Sequence, residues 1–188
     1  MLTPAMFFFL RHGETSWNRE HRTQGREDVP LNSNGLDQAR RACDLVRGLR
    51  IATLCASPLR RAFDTAVLLQ TSLGCKLEVI DDLAECSWGS REGEVKGQWF
   101  EDWKAGNRNP DGAESYEQFL QRALRGINKS LERPGPVLIV SHGGVYWSVQ
   151  KYASLGSELD IANAIPIRHD PPRREYPWWT ATILKTAN

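Results

Sequence analysis

The sequence predicts an α/β protein, a three-layer α/β/α sandwich around a mainly parallel central sheet, and three observations predict it. Short apolar runs alternate with longer amphipathic stretches along the 188 residues. The runs are nearly continuous, which fits strands buried on both faces between two helix layers. The residues able to do chemistry sit where the apolar runs end, and open parallel sheets bind ligands at that edge.

Each element follows from the chain in order. Met6-Phe7-Phe8-Phe9-Leu10 reads as the first strand, closed off by Gly13. Leu36 to Leu49 is helical, because Leu36, Ala39, Ala42, Leu45, Val46 and Leu49 share one stripe. Ile51-Ala52-Thr53-Leu54-Cys55 is the second strand. Ser57 as N-cap and Pro58 at the first helical position predict a helix running to Leu73 and stopped by Gly74. Leu77-Glu78-Val79-Ile80 is the third strand, and Ser115 to Leu131 is an amphipathic helix. Val137-Leu138-Ile139-Val140 is the fourth strand, followed by a helix from Val145 to Leu155. Ala164 to Ile167 and Trp179 to Leu184 are edge strands or a hairpin, joined by a loop containing Pro171 and Pro172.

Four strand exits carry candidate chemistry. The first is Arg11-His12-Gly13-Glu14, where a cation stands beside a histidine. An imidazole acts as a nucleophile when its tautomer is fixed and a lone pair faces outward. The second is Ser57-Pro58-Leu59-Arg60-Arg61. It places Arg60 in the first helical turn, where free N–H groups and a guanidinium fork make an anion site. Pairing of Arg60 with Asp64, four residues on, is the structural alternative. The third exit offers Glu85, with Asp81 and Asp82 close by, and the fourth is Ser141-His142-Gly143-Gly144.

These motifs, in this order, resemble the histidine phosphatase superfamily, the phosphoglycerate mutase-like clan. The matching residues continue through Thr15, Trp17-Asn18, Gln24-Gly25-Arg26, Pro30-Leu31, Gly35, Gln38-Ala39, Ala62 and Gly89. The resemblance implies a phosphoglycerate mutase-like fold and a phosphohistidine formed on His12. Arg11, Arg60 and His142 are then donors to the phosphoryl oxygens, and Glu85 is the general acid. Asn18, Gln24 and Gly143 are implied to bind substrate, and Glu14 to orient the histidine or its loop. Cofactor-dependent mutases of this family carry a longer insertion between the acid and the second histidine. Here the interval from Glu85 to His142 is 57 residues. The expected activity is therefore metal-independent hydrolysis of a small phosphorylated metabolite, with mutase-type phosphoryl transfer as the alternative. A phosphate- or RNA-binding module without catalysis is a further alternative, resting on 18 arginines and seven tryptophans.

Composition sets the remaining expectations. The length fits one domain over residues 1–188, with a lid or substrate segment at residues 87–111 that holds Trp88, Trp99, Phe100 and Trp103. A formal net charge of +1 gives no drive toward nucleic acid or an anionic membrane. The apolar N-terminal run is too short for a leader or a spanning helix, so a soluble, cytoplasmic protein is expected. No metal-binding motif is present and no cofactor is expected. Cys43, Cys55, Cys75 and Cys86 are expected as free thiols, Cys86 being open to oxidation beside Glu85. His21 and His169 read as surface residues, and a homodimer through the sheet edge or the tryptophan-rich segment is compatible with the sequence.

Overall fold

The computed structural model describes residues 1–156 and 161–184, so residues 157–160 and 185–188 of the expected domain lie outside the described residues. The strands are β1 (Phe7–Arg11), β2 (Thr53–Ala56), β3 (Lys76–Val79), β4 (Val137–Ser141), β5 (Pro166–Asp170) and β6 (Thr180–Ile183). The helices are α1 (Ser16–Arg19), α2 (Ser33–Val46), α3 (Arg60–Leu73), α4 (Gln98–Lys104), α5 (Tyr116–Leu131) and α6 (Gly143–Tyr152).

All six strands form one sheet in the order β3-β2-β4-β1-β5-β6. The first four are parallel, and β5 and β6 close one side as an antiparallel pair. Successive strand residues point to opposite faces, and that period divides the core in two. Phe7, Phe9, Val137 and Ile139 pack with Phe119, Leu120 and Val149 of α5 and α6 on one face. Phe8, Leu10, Leu138 and Val140 pack with Ala42, Val46, Ala66 and Leu69 of α2 and α3 on the other. The result is the expected three-layer α/β/α arrangement.

Two local expectations are corrected. The helix after β2 does not start at Ser57. Leu59 occupies the cap position and makes no side-chain cap bond. Asp28 supplies the missing acceptor from another loop, with Arg60 N donating to its Oδ1 at 2.7 Å. His169 is not a surface residue. It lies in β5 opposite Phe7 and is fully buried. Its ring stacks on Phe7 at 4.5 Å, and Nε2 is 2.9 Å from the Tyr146 hydroxyl. Exposed Arg168 and the prolines after Asp170 mask this alternation in the sequence.

Candidate active site

Register places the two site histidines together. Arg11 of β1 lies opposite Ser141 of β4, so His12 and His142 leave adjacent parallel strands at one level. Their ring centroids are 5.2 Å apart. His12 Nδ1 lies 2.7 Å from the carbonyl of Gly13. A carbonyl only accepts, so Nδ1 carries the proton and the Nε2 lone pair remains for the cavity. Burial, with the charges of Arg61 and Arg11, holds His12 well below its ordinary value, so the ring is neutral at neutral pH.

His142 is buried just behind His12, with Nε2 2.7 Å from the Ser57 hydroxyl. Ser57 is thus a partner of the second histidine rather than a helix cap. Nδ1 of His142 is buried without a hydrogen-bond partner. Burial, then Arg61, His12 and Arg11, hold this ring neutral as well.

The cavity above His12 measures ≈ 210 Å³, and Arg11, Arg61, Glu85, Asn18, Gln24 and Gly143 contribute to its walls. Arg60 does not. Its side chain is 62% exposed and pairs with Asp64 at 3.3 Å, the structural alternative read from the sequence. Its backbone N–H is taken by Asp28, so the anion site expected at that helix start is already filled. The neighbouring arginine takes the place instead. Arg61 is only 1% exposed, and its two terminal nitrogens donate to the carbonyls of Glu27 and Gly25 at 2.8 and 2.9 Å. Burial pushes its guanidinium down to about 10, which still leaves it charged at neutral pH. The sequence signal was present in the paired arginines of the motif, but which of the two turns inward depends on contacts distant in sequence.

Glu85 faces the cavity, whereas Asp82 pairs with Lys129 at 2.6 Å and Asp81 is exposed. Two backbone N–H groups hold its carboxylate, from Cys86 at 3.0 Å and Gly144 at 3.1 Å. A Cβ at Gly144 would strike Glu85 Oε1, so the glycine is required by this approach. Gly13 answers a similar need, because a Cβ there would strike the Gly35 carbonyl at the start of α2.

Thr15 caps α1 and orders two amides of the cavity wall. Its backbone N–H donates to Asn18 Oδ1 at 3.1 Å, and its hydroxyl donates to Gln24 Oε1 at 2.9 Å. With both oxygens occupied, the two NH₂ groups are the ends left for an anion. Glu14 points elsewhere: its carboxylate accepts from Asn32 at 2.8 Å, which secures the turn before α2 rather than the histidine.

Residues 87–111 supply Trp88 and Lys96 to the cavity wall. Trp103 of α4 is fully buried and meets Trp88 edge-on at 4.5 Å. Cys86 is equally buried, and burial pushes its thiol up, so it is not the oxidation-prone residue expected from its position. The four cysteines are free. Among the described residues, no group of three or more His, Cys, Asp or Glu could hold a metal, and no helix is long and apolar enough to cross a membrane.

A bifunctional protein of Mycobacterium tuberculosis is 34% identical over 154 residues, covering 74% of this chain but 42% of that protein. The chain thus spans less than half of that relative. An uncharacterized phosphatase of Bacillus subtilis is 34% identical over 140 residues, covering 71% of this chain and 69% of its own. The crystal structure of a phosphoglycerate mutase from Thermus thermophilus superposes with a TM-score of 0.75 at 28% identity, covering 97% of this chain and 100% of that one. The pattern of the histidine phosphatase superfamily (branch 1) matches residues 7–171, and the chain belongs to that superfamily.

Proposed function

We propose that the chain hydrolyses phosphomonoesters of small metabolites through a phosphohistidine on His12. The observation that carries this reading is the fixed His12 tautomer, with Nε2 facing a cavity walled by Arg11, Arg61 and Glu85. In the first step Nε2 bonds to phosphorus and the ester P–O bond breaks. Glu85 gives its proton to the departing oxygen. In the second step Glu85 takes a proton from water, the new P–O bond forms, and the P–N bond breaks to release phosphate. Arg11, Arg61 and the Asn18 and Gln24 amides stabilise the charge spread over the equatorial oxygens, with His142 supporting His12 from behind.

The short interval between Glu85 and His142 favours water as acceptor over a second bound metabolite. Five of the seven tryptophans pack in or against the main core, which disfavours base stacking and hence the RNA-binding alternative. Residues 87–111, through Trp88 and Lys96, select the substrate in this reading. The test is phosphate release from a phosphomonoester panel in the presence of a chelator, comparing wild type with His12→Ala. Turnover that vanishes in the variant, with an acid-labile phosphoenzyme trapped only in wild type, is expected. Phosphoryl exchange between phosphoglycerate isomers without phosphate release would replace the hydrolase reading with the mutase one.

A further inference from the structure

The loop that delivers Glu85 contributes no strand; Ser141 of β4 holds its Leu83 carbonyl at 2.7 Å, and a second support comes from outside the sheet. One face of α5 supplies it. Arg122, Gly126 and Lys129 lie at helical spacing on that helix and meet the same loop. Lys129 pairs with Asp82 at 2.6 Å. Gly126 lets the helix approach so closely that a Cβ there would lie 2.7 Å from the Asp82 carbonyl carbon. Arg122 makes the tightest connection. One terminal nitrogen donates to the carbonyls of Asp82 and Ala84, both at 2.9 Å, and the other to the carbonyl of Glu85 at 3.1 Å. That second terminal nitrogen and Nε also grip Glu114 in a fork, Nε to Oε1 at 2.7 Å and the terminal nitrogen to Oε2 at 2.8 Å. Glu114 in turn accepts from the backbone of Ser87 at 3.0 Å. The Arg122 side chain is 12% exposed.

From this geometry we infer that Arg122, oriented by Glu114, is the positioning residue that aims the Glu85 carboxylate at the leaving oxygen. It touches neither substrate nor phosphoryl group, and it acts through the carbonyls on either side of the acid. The inference rests on the proposed acid role of Glu85. Only a planar fork can serve three carbonyls and a carboxylate together, so lysine is not an equivalent.

A misplaced acid leaves a signature that general damage to the fold does not. An aryl ester with a good leaving group needs little proton transfer, whereas an alkyl ester needs much. The experiment measures kcat/KM for para-nitrophenyl phosphate and for an alkyl phosphate, since kcat/KM reports the first chemical step. General acid catalysis contributes about 10²–10⁴-fold. Arg122→Lys should lose about 10–100-fold on the alkyl ester and under about 3-fold on the aryl ester. Combining it with Glu85→Gln should add no further loss on the alkyl ester, because both changes remove one effect.

Glu114→Gln keeps Arg122 and loosens its fork along with the Ser87 contact, so it serves if Arg122→Lys fails to fold. It should show the same selectivity at about 3–10-fold. Equal losses on the two esters, or additive losses in the double variant, would overturn the inference while Glu85→Gln remained selective. If Glu85→Gln itself slowed both esters equally, the acid role would be wrong and the inference would fall with it.

Discussion

Arg60 and Arg61 are adjacent and identical in chemistry, yet the structure predicts opposite consequences for removing them. Arg60→Ala gives up one exposed i,i+4 pair with Asp64, whose side chains are 62% and 39% exposed. Such a pair contributes about 0.3–0.5 kcal/mol, and alanine favours the helix, so stability should change by less than about 0.5 kcal/mol. Activity should stay within about twofold, because the side chain lies outside the cavity. Arg61→Met removes a buried guanidinium and orphans the carbonyls of Gly25 and Glu27. Leaving a buried acceptor unpaired costs about 1–3 kcal/mol, and relief of the buried charge offsets part of that loss. The larger effect is on rate. Loss of one donor to a developing anion costs about 10²–10³-fold, or about 2.7–4 kcal/mol of barrier. The assay is kcat/KM for a phosphomonoester with thermal unfolding on the same samples. A tenfold loss in Arg60→Ala, or retention within threefold in folded Arg61→Met, would refute the assignment.

Other expectations follow from single contacts. Gly144→Ala should displace the Glu85 carboxylate, since the new methyl would strike Oε1, and kcat/KM on alkyl phosphates should fall at least about 10-fold. An unchanged rate on that ester would show that Glu85 does not work from its observed position. Ser57→Ala removes the one hydrogen bond of the His142 ring among the described residues and should slow turnover about 10-fold with little change in fold. Circular dichroism and steady-state kinetics on one preparation test this, and intact kinetics would deny Ser57 any positioning role. Stability should also depend on pH through the buried histidines. Burial lowers His169 to about 4 and holds His12 and His142 well below their ordinary value. Their contribution is complete above the unfolded value of about 6.5 and is lost as pH falls toward the folded values. Stability should therefore fall as pH drops below about 6.5, with a slope set by how many of the three rings stay unprotonated in the folded protein. Denaturant titrations between about pH 6.5 and 5 measure that slope, and a flat profile would contradict it.

Much of this was legible in the chain because the informative signals were local. Phe7-Phe8-Phe9-Leu10 and Val137-Leu138-Ile139-Val140 are apolar on both faces, which only a strand between two helix layers requires. Arg11-His12 and His142 sit at the ends of those strands, so finding the strands located them. What was not legible depended on contacts distant in sequence. The start of α3 is fixed by Asp28, which is 32 residues from Arg60, so nothing local contradicted a cap at Ser57. Arg60 and Arg61 point about 100° apart on the helix, and only the contacts of Arg61 with Glu27 and Gly25, 34 and 36 residues away, show which one turns inward. Arg122 reaches Glu85 across 37 residues, and no spacing rule connects a mid-helix arginine to that loop.

The partners of the arginines explain why Arg61 suits an anion site. Arg122, Arg133 and Arg168 each meet a carboxylate at 2.7 Å, and their charge is spent on the fold. Arg61 is bonded to carbonyls instead, which fix its plane, while Glu85, Asp28 and Glu92 act on its charge without an ion-pair contact. That choice is costly, because a buried cation on dipoles is less favourable than a buried pair. It yields two effects from one charge. The cation attracts a phosphoryl dianion, and it also helps burial keep His12 unprotonated. The two effects can be separated by pH. In Arg61→Met the His12 value should rise toward its ordinary range, though only partly, since burial is the larger cause. The acid limb of kcat/KM should therefore move to higher pH, beyond the uniform loss from the missing donor. An acid limb that stays in place while activity drops would mean that Arg61 binds the anion but has no hold on the nucleophile.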